Sequence, residues 1–494
     1  MISFLRKVDR EVARIGYILA ALDWDTETVM PARASEERAA EMAMLSSLAY
    51  EKETSDEIGR ALSSVDVSAL SDADKAIVRE RKRAYDEGRR LPSDLPGLLK
   101  LAEGEAVAAW KDAREAKDFS ILAPSLGRLI DLMKRWAECI SPDRSPYDAC
   151  LDYYEPGLDA ETVDSLFAPL EAELKRLRKK YDVSAVDDSF LFKPYDRGKL
   201  HAFCLKVSKA MGFDLKRGAV GITEHPFTTT LGPDDIRISS RYSDKGLFDP
   251  IATLIHESGH ALYEQRAGAN PEIRGTTLSN GASMGFHESQ SRLWENLVGR
   301  SPEFWSCWYG ELKKAAPQLE GVSVEEFLRA ANKPSGALLR VNADELTYNL
   351  HIILRHKMEK ELFSGALSVD KVPERWNDLS EELLGFRPSD DKEGALQDIH
   401  WPSGEFGYFP TYSLGNMYAA QIFKTMSEEV DVREALAGGR LSELTGWLGE
   451  HIWQYGRIYL PEDLIVRVTG AKLDAGIFTA YLEKRYDGLY GRKL

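Results

Sequence analysis

Apolar residues recur at steps of three and four positions along most of the 494-residue chain. Between residues 95 and 110, the residues with this spacing are Leu95, Leu99, Ala102, Ala106 and Ala109. The spacing places their side chains on one face of a helix, where they can pack against a neighbouring element. Ala, Leu, Glu, Arg and Lys, which all favour helices, dominate the same stretches. The pattern therefore predicts a mainly α-helical protein.

Residues 221–242 have a different pattern. Here Ile236 and Ile238 alternate with Asp235 and Arg237, and a period of two is typical of a strand with one buried face. A Leu-Gly-Pro-Asp turn sequence comes directly before this strand. We predict a small antiparallel β-sheet in this region, with an edge strand to which an extended peptide could pair.

The strongest motif is HExxH, which follows the predicted sheet and contains His256, Glu257 and His260. Histidines four residues apart lie about 40° apart around a helix, so both can reach one ion. Imidazole ligands suit zinc, and Glu257 can take a proton from water at the ion. Gly259 lets another backbone approach this helix closely. The alternative interpretation is an ordinary helix with two surface histidines.

A catalytic zinc ion needs a third protein ligand, and Glu288 is the candidate. It belongs to a second amphipathic segment a few tens of residues after HExxH, as in thermolysin-type zinc sites. His287 competes for this role, but adjacent residues point about 100° apart on a helix, so one of the two faces the ion. We favour Glu288 because two imidazoles and one carboxylate leave the ion with a net positive charge. The alternative for Glu288 is a solvated helix charge.

Composition and charge narrow the possible functions. The formal net charge of −16 argues against a partner made of nucleic acid. No apolar stretch reaches the roughly 18 to 20 residues that span a bilayer, and the N-terminus lacks the unbroken apolar core of a signal peptide. We therefore expect a cytoplasmic protein without a membrane partner. The four cysteines form no CxxC pair, so we expect reduced core thiols.

Further motifs resemble those of the carboxypeptidase Taq family of zinc metallocarboxypeptidases. They are DIRIS at 235–239 for the family's DxRxT, HESQ at 287–290, LRVNAD at 339–344 for IRxxAD, and GALQDIHW at 394–401 for GxxQDxHW. With HExxH they occur in order, and the resemblance covers nearly the whole chain. Ser239 and Leu339 are mild departures, whereas Trp453 stands where a family histidine is expected, so no substrate contact is assigned to that stretch.

The resemblance implies residues that contact the substrate. Tyr412, with His400 near it, is expected to donate to the oxyanion that forms during hydrolysis. Arg340 is expected to bind the free carboxylate of the substrate with its two-pronged guanidinium, and Asp344 is expected to orient Arg340. The alternatives are that Tyr412 is a packed aromatic residue, that His400 is a structural histidine and that Arg340 belongs to a buried structural ion pair.

Two further residues are weaker candidates for substrate contact. Arg237 is the second candidate for the carboxylate, because it projects from the polar side of the predicted strand. His225 would contact substrate through the same strand.

The resemblance also implies a fold and an activity. Residues 1–494 would form a single, mainly helical metallopeptidase domain with a deep groove. Residues 1–150 would form a helical part that covers the groove, and residues 250–300 would hold the zinc-binding helices. The implied enzyme is a homodimer that removes C-terminal residues from peptides with broad specificity. It would use one zinc ion per chain, for which Co or Mn could substitute.

Two other functions stay open at this point. A zinc oligopeptidase that cuts internal peptide bonds would carry the same metal motif. A helical peptide-binding protein without catalysis is the other alternative, although a binding protein would have no reason to keep Glu257.

Overall fold

The computed structural model describes residues 1–491 except 182, 184, 224 and 243–245. In chain order, the α-helices of the described residues are α1 (Ile2–Thr28), α2 (Ser35–Glu53), α3 (Asp56–Ser64), α4 (Asp72–Arg90), α5 (Leu95–Ala116), α6 (Ala123–Ile140), α7 (Pro146–Tyr154), α8 (Ala160–Lys180), α9 (Arg197–Met211), α10 (Phe248–Ala267), α11 (Met284–Arg292), α12 (Pro302–Ala315), α13 (Val324–Ala331), α14 (Tyr348–Ser364), α15 (Val372–Leu384), α16 (Phe409–Glu429), α17 (Val432–Ala437), α18 (Leu441–His451), α19 (Pro461–Thr469) and α20 (Ala475–Tyr490). The predicted mainly helical fold is confirmed. Among these described helices, none is long and apolar enough to cross a membrane.

Three short strands form the sheet: β1 (Gly218–Ile222), β2 (Thr228–Gly232) and β3 (Asp235–Ser240). The central strand is β3, which is parallel to β1 and antiparallel to β2. The small sheet is therefore confirmed, but it is mixed, and the prediction of a purely antiparallel sheet is wrong for one of its two pairings. The alternation in β3 is confirmed, because Ile236 and Ile238 are both fully buried.

The chain divides into two compact units, each made of three separate stretches. The first unit contains residues 1–88, 186–332 and 418–473, and the second contains residues 89–185, 333–417 and the segment that begins at Asp474. Residues 1–150 are largely helical, and they contribute to both units. The single domain over 1–494 and its groove stay predictions.

Helix α10 forms the centre of the first unit. Fifteen of its twenty residues are buried, so it is enclosed on nearly all sides. It packs against α9, α11 and β3. The contact with α11 depends on Gly259, because a Cβ atom at this position would lie 2.6 Å from the backbone oxygen of Gln290. The predicted close approach of another backbone at Gly259 is therefore confirmed.

Helix α14 has the same central place in the second unit. Thirteen of its seventeen residues are buried, and it packs against α6, α7, α8 and α15. The buried residues include two charged ones, Arg355 and Glu359. The motifs whose residues could carry out chemistry are thus divided between the units. HExxH and HESQ lie in the first unit, whereas LRVNAD and GALQDIHW lie in the second.

Candidate metal centre

The three predicted metal ligands come together in the first unit. One ligand atom from each of His256, His260 and Glu288 lies within 4.8 Å of the others. Glu288 Oε2 lies 3.6 Å from His256 Nε2 and 3.4 Å from His260 Nε2. Two imidazole nitrogens and one carboxylate oxygen match the three-ligand set of a catalytic zinc site. The residues present therefore fit a divalent metal ion.

Local helix geometry explains this convergence. The histidines are four residues apart on α10, so they share one face of that helix. The carboxylate comes from α11, which Gly259 allows to lie directly against α10. A serine side chain caps the start of α11 by accepting a hydrogen bond from the Phe286 amide. Sequence spacing and one glycine thus position all three side chains.

Glu288 is held so that one of its oxygens faces the histidines. Arg292 Nε donates to Glu288 Oε1 over 2.6 Å, and Ser291 Oγ donates to Oε2 over 3.1 Å. Burial opposes ionisation, but Arg292 and His256 outweigh it and hold the pKa of Glu288 well below its usual value. Glu288 is therefore an ionised carboxylate with Oε2 directed at the two imidazoles.

The predicted base, Glu257, is buried beside the metal ligands and contacts the sheet. Thr228 Oγ1 on β2 donates to Glu257 Oε2 over 2.6 Å. Burial raises the pKa of Glu257 above its ordinary value. A carboxylate with a raised pKa is suited to take up a proton and release it again within one reaction cycle.

His256 is oriented through its Nδ1 atom by a carboxylate that the sequence did not lead us to expect. Its Nδ1 lies 2.8 Å from Glu295 Oε2. Glu295 belongs to a π-helical turn, Leu293–Val298, that continues α11, and Arg292 Nη1 also donates to it over 3.2 Å. Burial opposes these partners, but Arg292 and His256 lower the pKa of Glu295 to about 2. Glu295 is seven residues after Glu288, a spacing that returns to the same face of a helix, and this was the sequence signal that could have found it.

His260 is oriented by His287, the residue that competed with Glu288 for the ligand role. His287 Nδ1 lies 2.5 Å from His260 Nδ1, and His287 Nε2 lies 2.7 Å from Glu264 Oε1. Burial lowers the pKa of His260 to about 3. Glu264 is four residues after His260, which was the one sequence signal for its presence on this side of α10.

Arg340, Tyr412 and His400 lie together in the second unit. His400 Nε2 lies 3.3 Å from the Tyr412 hydroxyl, and the Arg340 guanidinium is 5.2 Å from the centre of the Tyr412 ring. Burial and Arg340 lower the pKa of His400 to about 3. The predicted proximity of His400 to Tyr412 is therefore present.

The prediction that Asp344 orients Arg340 is wrong. Arg340 donates to Asp398 Oδ1 from Nε and Nη2 over 3.1 and 2.8 Å. Asp344 instead accepts hydrogen bonds from the Ser335 and Gly336 amides and from Thr347 Oγ1. The i,i+4 argument fails because Arg340 begins a single 3₁₀ turn and the chain is extended again at Ala343.

Arg237, His225 and Trp453 lie in the first unit. Arg237 donates to Asp235 from Nε and Nη2 over 2.9 and 2.8 Å, and His225 is exposed. Trp453, which replaces an expected histidine, is buried and donates from Nε1 to Gln290 Oε1 over 2.8 Å. Trp453 therefore supports the helix that carries Glu288.

Comparisons with known proteins find matches along nearly the whole chain. The family model of carboxypeptidase Taq (M32) metallopeptidases matches residues 4–486. Carboxypeptidase 1 of Bacillus subtilis is 37% identical over 490 residues, which cover 97% of each chain. Thermostable carboxypeptidase 1 of Thermus thermophilus is 40% identical over 503 residues, which cover 99% of this chain and 98% of the relative.

Solved structures give the same result for the fold. The M32 carboxypeptidase of Deinococcus radiodurans R1 superposes with a TM-score of 0.95 at 37% identity, over 99% of both chains. The Pyrococcus furiosus carboxypeptidase superposes with a TM-score of 0.94 at 34% identity, over 98% of both chains. The similarity thus extends over the complete length of these relatives.

Proposed function

We propose that this chain, which belongs to the carboxypeptidase Taq (M32) family of metallopeptidases, is a zinc carboxypeptidase with broad specificity. Family membership makes it a hydrolase of peptide bonds that uses a divalent metal ion. The convergence of His256, His260 and Glu288 supports zinc more than any other observation does. Co and Mn are the expected substitutes.

Glu257 is the proposed general base. When bound, zinc supplies the Lewis acidity that polarises the scissile carbonyl and makes water more acidic. Glu257 takes the proton that the attacking water loses, and it delivers this proton to the nitrogen of the leaving amine as the C–N bond breaks. The hydrogen bond from Thr228 keeps the Glu257 carboxylate in one orientation during both transfers.

The second unit carries the proposed substrate contacts. We assign the developing oxyanion to the Tyr412 hydroxyl with His400 beside it, and the terminal carboxylate of the substrate to Arg340. Arg340 and Arg355 together place two positive charges against the single carboxylate of Asp398. That surplus of positive charge favours an anionic group of the substrate. Arg237 and His225 remain the weaker candidates.

Peptide digestion combined with a metal assay tests this function. Zinc-loaded protein should release the C-terminal residue of a free-ended peptide and leave the C-terminally amidated form largely intact. Internal cleavage of both peptides at equal rates would identify an oligopeptidase instead. The homodimer and the cytoplasmic location also remain proposals, which sedimentation and cell fractionation can test.

Glu257→Gln tests the base directly. The substitution preserves shape and removes only the proton acceptor, so we expect one bound zinc ion and a loss of turnover of about 10²–10⁴-fold, the usual worth of general acid–base catalysis. Zinc content by atomic absorption and peptide turnover should be measured on the same sample. Loss of the metal would show that Glu257 is structural.

A further inference from the structure

We infer that His287 is a positioning residue, which together with Glu264 fixes the ring of His260 so that its Nε2 faces the metal site. This inference rests on the proposed metal centre. It assigns a function to the first residue of the HESQ motif, which is not itself a ligand.

Glu264 is the anchor of this arrangement. It is buried, and its Oε1 accepts a hydrogen bond from the Gly281 amide over 3.2 Å. Its Oε2 accepts a hydrogen bond from Thr230 Oγ1 over 3.3 Å. Its Oε1 also lies 2.7 Å from His287 Nε2. Glu264 therefore holds one nitrogen of the His287 ring.

Metal binding determines how these contacts would be used. His260 Nε2 lies 3.4 Å from the Glu288 oxygen, and binding of an ion through Nε2 requires that nitrogen to carry no proton. A neutral His260 then carries its proton on Nδ1, which lies 2.5 Å from His287 Nδ1. His287 can accept this hydrogen bond at Nδ1 while it donates from Nε2 to Glu264.

Packing keeps the His287 ring in this place. A Cβ atom at position 281 would lie 2.6 Å from His287 Cδ2, so Gly281 is in direct contact with the ring. The Tyr263 ring also packs against it, with the two ring centres 5.7 Å apart. His287 therefore has little freedom to rotate, and its two nitrogens are both engaged away from the ligand atoms. Metal binding by His287 itself would require both contacts to break.

The two ligand histidines are therefore oriented by different means. His256 donates directly to a carboxylate, Glu295, whereas His260 reaches its carboxylate, Glu264, through an intervening imidazole. Outer partners of this kind typically contribute 10- to 100-fold to metal affinity. Removal of His287 should cost affinity in that range without changing the number of ions bound.

Zinc affinity, measured by competition with a chromophoric chelator, tests the inference independently of catalysis. His287→Ala should bind one zinc ion about 10- to 100-fold more weakly than the unchanged protein. His287→Gln offers an amide acceptor and an amide donor in place of the imidazole, so it should recover part of the loss. His201→Ala is the matched control, because His201 is a half-buried imidazole that hydrogen-bonds to Tyr242 in the same unit.

Several results would overturn the inference. Unchanged zinc affinity in His287→Ala would show that the hydrogen bond is dispensable, and equal losses in the Ala and Gln variants would show that the ring acts only by packing. A loss as large as that of Glu288→Ala would make His287 a ligand. If a variant does not fold, as seen by circular dichroism, Glu264→Gln provides a second test. It keeps an acceptor for His287 and should therefore lose less affinity than His287→Ala.

The result is separable from the proposed function. A protein that binds zinc tightly but cleaves neither peptide would contradict the carboxypeptidase activity and leave the affinity comparison valid.

Discussion

Two buried clusters of charged and polar side chains differ in whether their members are paired with groups of opposite charge. In the first unit, the Nε2 atoms of His256 and His260 lie 3.6 and 3.4 Å from Oε2 of Glu288. Three atoms that can each donate an electron pair to a metal ion therefore converge. In the second unit, Asp398 accepts hydrogen bonds from Arg340 on one oxygen and from Arg355 on the other.

The electrostatics of each cluster follow from this arrangement. Without a metal ion a proton can take its place, because Glu288 and Glu295 overcome the effect of burial and raise the pKa of His256. Burial also raises the pKa of Asp398, but Arg355 and Arg340 outweigh it and leave this pKa far below its usual value. Groups of like character that converge indicate a ligand site, whereas groups of opposite charge that pair indicate structural support.

The largest effect is expected from removal of a converging ligand. A structural zinc ion contributes about 10–16 kcal/mol over four ligands, so the loss of His256, His260 or Glu288 to Ala should weaken zinc binding by at least about a hundredfold. Zinc content after dialysis is the measurement. His451→Ala is the control, because His451 stacks on Trp447 and touches no ligand. Full occupancy in Glu288→Ala would transfer the role of third ligand to another group.

The second largest effect should appear in protein stability when the cluster of Asp398, Arg340 and Arg355, here called the paired cluster, is broken. Asp398→Ala leaves two buried guanidiniums without their shared carboxylate, and loss of one partner of a buried ion pair typically costs about 3–5 kcal/mol. Urea unfolding should show this loss, while zinc affinity should stay unchanged. A stable Asp398→Ala protein would show that the two arginines can be satisfied in another way.

Arg340→Ala tests whether the paired cluster also binds substrate. If Arg340 holds the terminal carboxylate, kcat/KM for free-ended peptides should fall. The fall should correspond to a loss of roughly 2–4 kcal/mol of transition-state stabilisation. Amidated peptides, which lack that carboxylate, should be affected much less, and Arg340→Lys should restore part of the loss.

Arg485→Ala is the matched control, because the side chain of Arg485 is also largely buried and is paired with a carboxylate, Glu345, over 2.7 Å in the same unit. Equal losses on free-ended and amidated peptides would make Arg340 a purely structural residue. Arg237 would then be the next candidate for the substrate carboxylate.

The smallest effect concerns Glu359, a buried carboxyl near Arg355. It accepts hydrogen bonds from Trp401, Tyr147 and the Gly407 amide, yet burial outweighs these donors and raises its pKa from 4.5 to about 7. The folded protein therefore binds more protons than the unfolded chain between these values, and its stability should fall as the pH rises through this window.

The total change should be about 1–3 kcal/mol, since each pKa unit corresponds to 1.36 kcal/mol. Urea unfolding at pH values from 4.5 to 7.5 should show a flatter profile for Glu359→Gln than for the unchanged protein. Parallel profiles would show that Glu359 is ionised throughout this range.

The sequence was most informative where spacing translates directly into geometry. Four-residue spacing on one helix placed His256 beside His260, and the glycine within the motif correctly indicated a close neighbouring backbone. The same rule, applied to Glu288, would have found Arg292 four residues later. The zinc ion and the roles of Glu257, Tyr412 and the arginines stay predictions.

Contacts between distant residues were not predictable in this way. The partner of Arg340 lies 58 residues away in Asp398, and the local i,i+4 rule selected Asp344 instead. The parallel pairing of β1 with β3 depends on which edge the first strand reaches, which no local pattern specifies. The seven-residue spacing from Glu288 to Glu295 returns to the same helical face, but it does not identify the partner of Glu295, because His256 lies on another helix.

The backbone contact at Gly259 has a consequence for how the enzyme acquires its metal. Because the backbones of the two ligand-bearing helices are in direct contact, their packing does not depend on an ion alone, and we expect the fold to survive chelation. Zinc fingers behave in the opposite way, since they lose their fold with their metal. Stripping and reloading should therefore be reversible, so that the ion would be an exchangeable part of a standing scaffold.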